Sequence, residues 1–322
     1  MSESLRWGIL GTGNIAHKFA AQLPQTERGQ LIAAGSRTDA NAGTFADEFN
    51  CQPCSYEALL EHPDIDAVYI SLPNSLHHQW SIRTLQAGKH VLCEKPIGAS
   101  AVEAEEMFAV AQQTGRVLVE AFMYRCQPVI KEVLELVRNQ AIGQVKLIRS
   151  NFTFNRPPSS DDVRYQADLA GGSLMDIGCY CINFTRAIVG REPTEVHAVV
   201  HRYESGVDDW AAGTMSFGGE VLSTFTCGMS VSNERTTFIG GSDGYIKIDF
   251  PWFSDGTFEI VRGDLRTPPE RETKSIPNPI EPYALEAEAF ARIVQDGDAP
   301  WITKEDSIDN MKVLDELRRQ VL

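Results

Sequence analysis

The strongest constraint on the fold is an alternation of short apolar runs with amphipathic segments between residues 6 and 122. Such runs are typical of strands buried on both faces, and the amphipathic segments are typical of the helices that cover them. The predicted strands are RWGILG (6–11), LIAAGSR (31–37), AVYISLP (67–73), HVLCEKP (90–96) and RVLVEAF (116–122). The predicted helices span residues 14–23, 39–49, 75–87 and 100–114. Strands joined by helical crossovers predict an α/β fold with a doubly wound parallel sheet of the Rossmann type.

The pattern changes after residue 122, where the strict alternation of strand and helix ends. The sequence then predicts a helix at 128–140, a strand at 145–155, a helix at 171–190, consecutive strands between 194 and 261, and helices at 282–296 and 304–321. Glycine-rich turns separate the strands, which is typical of an antiparallel sheet. We therefore predict two domains: a doubly wound α/β domain at 1–122, and an α+β domain with an open, mainly antiparallel sheet at 123–322.

Charge and composition argue against two classes of partner. The chain has 44 acidic and 29 basic residues, a net charge of -15, whereas a nucleic-acid surface needs clustered Lys and Arg. No apolar run approaches the roughly 20 residues that span a bilayer, and the start of the sequence, MSESLRWGILG, lacks the features of a secretion signal. Seven cysteines, most of them in apolar segments, favour reduced thiols. We expect a cytoplasmic protein that binds neither nucleic acid nor a membrane.

A glycine-rich turn follows the first predicted strand. The segment ILGTGNIA places Gly11 and Gly13 between that strand and a helix, with Ala16 at the third position of the motif. The glycines allow a tight turn and let backbone N–H groups approach a pyrophosphate, whose charge the helix N-terminus favours. Strand, turn and helix occur in the required order, so the motif predicts dinucleotide binding rather than a plain turn.

The end of the second predicted strand bears on the choice between NADP(H) and NAD(H). A preference for NAD usually requires an acidic residue here that binds the ribose hydroxyls. This chain instead has Ser36, Arg37 and Thr38. Arg37 can pair with a 2′-phosphate and stack on adenine; the alternative is a solvated Arg37 with Asp39 reaching the ribose. The sequence therefore favours NADP(H) and leaves NAD(H) possible.

Charged groups follow the fourth predicted strand, where Glu94, Lys95 and Pro96 come in succession. The carboxyl ends of parallel strands border the ligand crevice, and the proline biases Lys95 towards an extended backbone. A surface ion pair between Glu94 and Lys95 is the plainer interpretation. Adjacent residues on an extended chain point to opposite faces, however, which favours a Lys95 ammonium directed into the crevice. The Lys95–Pro96 bond is either cis or trans.

A second polar pair lies in the segment MDIGCYCIN. Asp176 and Tyr180 are four residues apart on a predicted helix and therefore share one face. Tyrosine has a reference pKa of about 10, and a neighbouring Lys⁺ would lower it by favouring the phenolate. The alternative is that Tyr180 is a core aromatic with one satisfied hydroxyl. Together with Lys95, the pair predicts a set of side chains that transfers protons.

Four segments, ILGTGNIA, SLPNSLHH (71–78), AGKHVLCEKPIG and GGSLMDIGCYCIN, together resemble the glucose-fructose oxidoreductase / inositol dehydrogenase (Gfo/Idh/MocA) family. The resemblance covers essentially the whole chain. The segment VEAFMYR (119–125) is closer to the branch of dimeric dihydrodiol dehydrogenases and NADP-dependent D-xylose 1-dehydrogenases. One departure is Ala170, where the family often has a first glycine before Gly171 and Gly172.

The resemblance implies roles for individual residues. Tyr180 is the expected acid/base, Lys95 lies near the nicotinamide ribose and the substrate hydroxyl, and Asp176 positions the substrate or tunes its neighbours. The expected cofactor-binding residues are Gly11, Thr12, Gly13, Asn14, Ile15, Ser36, Arg37, Thr38, Leu72, Asn74, His77, Glu94 and Lys95. The expected substrate-binding residues are Lys95, Tyr124, Arg125, Asp176 and Tyr180. No metal site is expected.

The implied activity is reversible hydride transfer between nicotinamide and the carbinol carbon of a sugar or cyclic diol. An aldose 1-dehydrogenase, such as one acting on D-xylose, or a dihydrodiol dehydrogenase fits best. A ketosugar reductase of the anhydrofructose type, a glucose-fructose oxidoreductase-like enzyme and a non-catalytic cofactor-sensing regulator are the alternatives. The resemblance also implies that the domain at 1–122 binds the dinucleotide, and that the domain at 123–322 binds substrate and forms a homodimer through its sheet.

Two other segments are interpreted as structural, and the role of several aromatic residues is left open. CQPC (51–54) has redox spacing, but we interpret it as two thiols in a loop before a helix. PPERETK (268–274) is predicted to be a solvated loop. Three aromatic residues either form a wall of a sugar site or pack, and the sequence does not distinguish these roles: Trp210, Trp252 and Phe253.

Overall fold

The computed structural model describes residues 4–232, 234–263 and 268–321. By its contacts the chain divides into two compact units. The first comprises Met1–Cys126 with Ile280–Ile308, and the second comprises Gln127–Pro279 with Asp309–Leu322. Among the described residues, every helix is too short or too polar to cross a lipid bilayer.

The first unit contains a six-stranded parallel sheet with helical connections, which confirms the predicted doubly wound fold. Its elements are β1 (Leu5–Leu10), α1 (Asn14–Gln22), β2 (Gly29–Gly35), α2 (Asp39–Phe49), β3 (Gln52–Cys54), α3 (Tyr56–Glu61), β4 (Ala67–Ile70), α4 (Asn74–Gln86), β5 (His90–Glu94), α5 (Ala101–Thr114) and β6 (Leu118–Ala121). The strand order is β3-β2-β1-β4-β5-β6. Strands β1, β4 and β5 are almost entirely buried, as continuous apolar runs require.

The second unit contains an eight-stranded sheet in which only β7 and β10 pair in parallel, which confirms the mainly antiparallel prediction. Its elements are α6 (Pro128–Arg138), β7 (Val145–Thr153), α7 (Cys179–Val189), β8 (Glu195–Arg202), β9 (Asp208–Phe217), β10 (Val221–Gly228), β11 (Thr236–Gly241), β12 (Gly244–Asp249), β13 (Thr257–Arg262) and β14 (Glu270–Ser275). The strand order is β14-β13-β12-β11-β7-β10-β9-β8. Helix α7 packs on β7 and β10 and covers one face of the sheet.

Two helices follow β14: α8 (Pro282–Asp296) and α9 (Lys304–Val321). The sequence analysis predicted two continuous domains that meet at residue 122. By its contacts, however, the segment 280–308 belongs to the first unit. The reason is visible at Trp7 of β1, which is fully buried with ring centroids 5.3 Å from Phe19 of α1 and 5.2 Å from Phe290 of α8. The assignment of substrate binding to residues 123–322 stays a prediction.

Two short strands were not predicted. β3 lies in the CQPC segment, and β14 lies in the PPERETK segment that was predicted to be a loop. Charged pairs explain β14, because Arg271 contacts Glu259 at 2.9 Å and Glu272 contacts Arg262 at 3.0 Å across β13. An edge strand stabilised by such pairs needs no apolar residues, so its sequence resembles that of a solvated loop.

Candidate functional site

The sheet of the first unit has a topological switch between β1 and β4. From β1 the strand order runs outward in one direction to β2 and β3, and in the other to β4, β5 and β6. In open parallel sheets a ligand crevice lies beyond the carboxyl ends of the strands at such a point. The predicted cofactor residues follow the ends of β1, β2, β4 and β5, which are neighbouring strands.

The glycine turn after β1 has the shape that a bound dinucleotide requires. Gly11 has φ +97°, and a Cβ there would lie 2.9 Å from the backbone oxygen of Ser71, just after β4. Gly13 begins α1 with an extended backbone, and the position of its missing Cβ has no atom of the described structure within 4 Å. Gly11 therefore allows β1 and β4 to approach, while Gly13 leaves open access to the backbone amides of Asn14 and Ile15.

Helix capping separates the helices around the crevice into two groups. Side-chain oxygens of Thr38, Ser55 and Ser100 accept hydrogen bonds from the first turns of α2, α3 and α5. The residues at the N-cap positions of α1 and α4 beside the switch point, Gly13 and Pro73, have no side chain that could accept such a bond. The first N–H groups of a helix carry the partial positive charge of the helix dipole. The described residues therefore fit a dinucleotide pyrophosphate.

The end of β2 presents one exposed cation. The Thr12 hydroxyl donates to Ser36 Oγ at 3.1 Å, which connects the glycine turn to this segment. Arg37 is exposed and lies close enough to Tyr56 to oppose the rise in the Tyr56 pKa that burial causes. Thr38 accepts from the Asn41 N–H at 3.3 Å, so its hydroxyl caps α2. Asp39 lies in the first turn of α2, where its charge stabilises the helix.

His77 supports the backbone around the reacting end. Its ring is fully buried, and its two nitrogens lie 2.8 Å from the carbonyl oxygens of Leu72 and Pro96. Burial lowers the pKa of His77 to about 4, so at neutral pH the imidazole donates to one of these carbonyls. His77 therefore connects the segment after β4 to the segment after β5; its predicted contact with a cofactor, like that of Asn74 at the start of α4, stays a prediction.

Glu94 and Lys95 have different environments. Glu94 is only 7% exposed, and its carboxylate accepts a hydrogen bond from the hydroxyl of Tyr69 on β4. The burial of Glu94 therefore excludes a solvent-exposed ion pair between Glu94 and Lys95. Lys95 is partly exposed, and its bond to Pro96 is cis, which resolves the alternative that the sequence left open.

A buried carboxyl group that the sequence analysis missed lies near Glu94. Glu286 of α8 is fully buried, and within the described part of the chain neither of its carboxyl oxygens has a hydrogen-bond partner. It is one turn from Phe290 and faces the same core. Burial, with a smaller contribution from the Glu94 charge, raises the pKa of Glu286 well above its ordinary value. Burial therefore favours the neutral acid over the carboxylate at this position.

We predict that Glu286→Gln stabilises the protein increasingly as pH rises. A raised pKa means that the folded chain binds this proton more tightly than the unfolded chain, whose pKa is near 4.5. The free energy of unfolding therefore falls between pH 4.5 and the folded pKa. A neutral amide removes this loss, so urea unfolding across this pH range should give a flatter profile for the variant. Glu61→Gln, at an exposed position, is the control; parallel wild-type and Glu286→Gln profiles would contradict the prediction.

The predicted substrate residues Tyr124 and Arg125 lie on a short 3₁₀ turn after β6. Tyr124 is fully buried, with its ring centroid 5.9 Å from that of Phe122. Arg125 Nη1 lies 3.3 Å from an oxygen of Asp306 in the same unit. Their predicted role in substrate binding stays a prediction.

In the second unit, Asp176 and Tyr180 lie where a π-helical turn, Leu174–Gly178, leads into α7. Within the fully described stretch 172–186, Asp176 is the only residue that is not buried. Tyr180 is 4% exposed, and its ring meets those of Phe152 and Trp252 edge-on at 5.3 and 5.4 Å. Trp252 is fully buried, so it packs against the tyrosine ring rather than forming an open wall.

The loop before this turn shows why the motif contains glycines. A Cβ on Gly171 would lie 2.4 Å from the Arg164 carbonyl oxygen, and one on Gly172 would lie 2.2 Å from Asp208 Oδ1. Ala170 adopts a left-handed backbone with φ +55°. That conformation costs a non-glycine residue roughly 1–2 kcal/mol, so Ala170 places local strain before the helix.

Metal and thiol chemistry receive no support from the described residues. No group of three or more side chains suited to a metal ion occurs among them. All seven cysteines are free thiols. Burial, with a smaller contribution from Cys54, raises the pKa of Cys51 to about 11, which disfavours the reactive thiolate.

Comparison with known proteins gives matches along most of the chain. Residues 5–122 match the oxidoreductase family with an NAD-binding Rossmann fold, and residues 130–247 match the GFO/IDH/MocA C-terminal domain. A D-xylose 1-dehydrogenase (NADP(+)) of Haloferax volcanii is 34% identical over 97% of this chain and 96% of its own. A mouse trans-1,2-dihydrobenzene-1,2-diol dehydrogenase is 34% identical over 82% of this chain and 79% of its own.

Solved structures give the same fold. A 3-ketoreductase from Actinomadura kijaniata in complex with NADP and TDP-benzene superposes with a TM-score of 0.90, at 30% identity over 99% of this chain and 98% of its own. Structures of this ketoreductase with a tyrosine replaced by phenylalanine, and with a lysine replaced by alanine, have also been solved. An aldose-aldose oxidoreductase from Caulobacter crescentus, complexed with glycerol, has a TM-score of 0.89 at 28% identity, over 99% of this chain and 97% of its own.

Proposed function

This chain belongs to the Gfo/Idh/MocA oxidoreductase family, and we propose that it is an NADP(H)-dependent enzyme acting on a carbinol carbon of a sugar or cyclic diol. The observation that carries the proposal is the glycine turn after β1, where Gly11 has φ +97° and Gly13 leaves open space before α1, at the sheet's switch point and two strands from the end of β5, which Lys95 follows. The relatives named for xylose and dihydrodiol oxidation support the substrate class.

The residues have separate tasks in the proposed reaction. The amides that follow Gly11 and Gly13 bind the pyrophosphate. Hydride exchange with the substrate carbon is the chemistry that bound nicotinamide supplies. In oxidation, the Tyr180 phenolate accepts the proton of the substrate hydroxyl and becomes the neutral phenol, and the Lys95 ammonium stabilises the developing alkoxide. Asp176, the accessible carboxylate of its helix, orients the substrate through its hydroxyls.

The substrate class is tested by a cofactor-reduction assay across pentoses, hexoses, inositols and dihydrodiols. We expect turnover with an aldose, oxidised at its anomeric carbon, or with a dihydrodiol. The ketoreductase of similar structure supports a second candidate, reduction of a ketosugar, so the panel includes ketosugars with NADPH. Absence of turnover with every compound, despite cofactor binding, would contradict the enzyme and favour a cofactor-sensing regulator.

We predict that Arg37→Ala weakens binding of NADPH but not of NADH. A charge-assisted hydrogen bond to a 2′-phosphate contributes about 1.5–3 kcal/mol, so Kd for NADPH should rise at least about tenfold. Titration by nicotinamide fluorescence measures both cofactors. Arg116→Ala is the control, because Arg116 is also exposed but precedes β6 at the opposite edge of the sheet. Tighter binding of NADH than of NADPH, unchanged in Arg37→Ala, would assign the site to NAD(H).

The uncovered face of the second sheet supports the proposed homodimer. Val199, Trp210 and Leu222 are 73%, 44% and 52% exposed, and the strand register places their side chains on the same face. A stable dimer buries about 800 Å² per subunit, usually with apolar residues at its centre. Leu222→Glu should therefore yield monomers in sedimentation velocity, whereas Val102→Glu, at a 63% exposed residue of α5, should not. A wild-type protein that sediments as a monomer would contradict the homodimer.

We also propose the cytoplasm as the compartment, which the free state of all seven cysteines supports.

A further inference from the structure

A buried carboxylate from the sheet holds the start of the helix that carries Asp176 and Tyr180. Asp208, the first residue of β9, is 6% exposed. Its Oδ2 accepts hydrogen bonds from the Ser173 hydroxyl at 2.7 Å and from the Leu174 N–H at 2.6 Å. Both donors immediately precede or begin the π-helical turn. Asp208 therefore binds this helix start from a strand 35 residues away from Ser173 in sequence.

The residue at the start of this helix does not cap it with its own side chain. Ser173 occupies the capping position with helical backbone angles, and its own side chain makes no capping bond within the described structure. A side-chain acceptor normally satisfies the first N–H groups of a helix and contributes about 1 kcal/mol. Here the acceptor is the Asp208 carboxylate, whose charge also favours a helix N-terminus.

The glycine motif is shaped around the same carboxylate. Gly172 has φ +114°, and a Cβ there would lie 2.2 Å from Asp208 Oδ1. Gly172 therefore gives the carboxylate room to approach, and its carbonyl accepts from the Asp176 N–H at 2.9 Å. Asp208, Gly172 and Asp176 are thus connected through one turn of backbone. Displacement of the carboxylate would move the backbone of Asp176 directly.

The π-helical turn makes this anchor important for geometry as well as for stability. A π turn contains an extra residue, is rare, and frequently occurs at functional sites. Its register determines the direction of every side chain that follows, including Tyr180, which lies two residues after Gly178. A change at the helix start would therefore rotate or shift both polar side chains.

We propose that Asp208 is a positioning residue for the reaction proposed above: it fixes the register of the helix and thereby the placement of Asp176 and Tyr180. This inference rests on the proposed function of those two residues. A misplacement of about 1 Å in a reacting group can lower the rate about a hundredfold, so loss of the anchor should reduce kcat and leave cofactor binding intact.

The neighbouring residue on β9 provides a matched control. Asp209 is 4% exposed and also accepts hydrogen bonds, from the Tyr165 hydroxyl at 3.1 Å and the Ser230 hydroxyl at 2.5 Å. Adjacent residues of a strand point to opposite faces, so the partners of Asp209 differ from those of Asp208. Replacement of either carboxylate removes a buried, hydrogen-bonded acceptor, but only Asp208 holds Ser173 and Leu174.

The experiment compares Asp208→Ala, Asp208→Asn and Asp209→Ala by thermal unfolding, cofactor titration and steady-state kinetics well below each Tm. We expect both alanine variants to lose stability, and kcat to fall about 10- to 100-fold only in Asp208→Ala. The Asn variant keeps one acceptor oxygen and should recover part of kcat. Cofactor Kd should stay within about twofold of wild type. An equal fall of kcat in both alanine variants, or a cofactor Kd that changes as much as kcat, would overturn the proposal.

A milder variant covers the case in which Asp208→Ala does not fold. Ser173→Ala removes one of the two donors and should lower kcat in the same direction. Its effect should be less than additive with that of Asp208→Asn, because both changes weaken the same contact. Full additivity, or unchanged kcat in Ser173→Ala, would also count against the proposal.

Hydrogen exchange separates this inference from the proposed function. Amides of residues 174–180 should exchange faster in Asp208→Asn than in Asp209→Asn, whether or not a substrate has been found. If exchange is faster in Asp208→Asn but the wild-type protein turns over no substrate, the anchor is retained and the oxidoreductase is rejected. If Asp208→Asn shows wild-type exchange and wild-type kcat, the anchor alone is rejected.

Discussion

Tyr180→Phe should abolish turnover while the protein stays folded and binds cofactor. The change deletes one hydroxyl and keeps the ring, whose edge-on contacts with Phe152 and Trp252 hold it in the core. A positioned acid/base contributes about 10²–10⁴-fold to the rate, so kcat should fall by that factor. Steady-state kinetics with the best substrate of the panel, beside a titration with NADPH, measures both quantities.

Tyr165→Phe is the matched control for this prediction. Tyr165 is also buried in the second unit, and its hydroxyl donates to Asp209 at 3.1 Å. Loss of that hydroxyl should lower stability by about 1 kcal/mol and leave kcat nearly unchanged. If Tyr180→Phe retained kcat within a few-fold of wild type, Tyr180 would be a packed aromatic residue and another group would be the acid/base.

The regular elements could be predicted because their signals are local. The two last helices begin and end where the sequence pattern placed them, at 282–296 and 304–321. Ser100, at the start of the helix predicted over 100–114, accepts from the Glu103 N–H at 3.2 Å and caps that helix. Amphipathic periodicity and capping residues act within a few positions of the chain, so a single sequence contains them in full.

The glycine turn could also be predicted, for a different reason. Positive φ and close backbone approach leave few alternatives to glycine, so a glycine at position 11 directly indicates a tight turn. By contrast, the three residues of β3 include a proline and no apolar alternation, and the π-helical turn differs from an α-helix by one residue that no periodicity reveals.

The supporting residues of the candidate site were missed because their partners are distant in sequence. Asp208 holds a helix start 35 positions earlier, and Glu286 lies near a carboxylate from a strand far earlier in the chain. For Asp208, the available sequence signal was a pair of acidic residues, Asp208 and Asp209, at the start of an otherwise uncharged strand. Such a pair also suits a solvated strand end, so only burial and hydrogen-bond partners identify its role.

Lys95→Ala should lower kcat by on the order of 10²–10³, the loss typical of removing a group that stabilises a developing oxyanion. In the proposed reaction the ammonium acts on the alkoxide, whose charge is greatest in the transition state, so KM for the substrate should change less than kcat. Lys95 is partly exposed and directly follows β5. Its removal should therefore leave the fold and NADPH binding largely intact, which thermal unfolding and fluorescence titration can measure.

Lys89→Met separates this chemical role from the general effect of losing a lysine in the same unit. Lys89 is 6% exposed, and its Nζ donates to the carbonyl oxygens of His62 and Ile65 at 2.7 and 3.0 Å. That ammonium is hydrogen-bonded to backbone oxygens, so its loss should lower Tm and leave kcat close to wild type. Lys95→Arg keeps the charge but changes its shape and reach, and should recover kcat only in part. Near-normal kcat in Lys95→Ala would mean that the alkoxide is stabilised by another donor, and the motif lysine would then have no part in the chemistry.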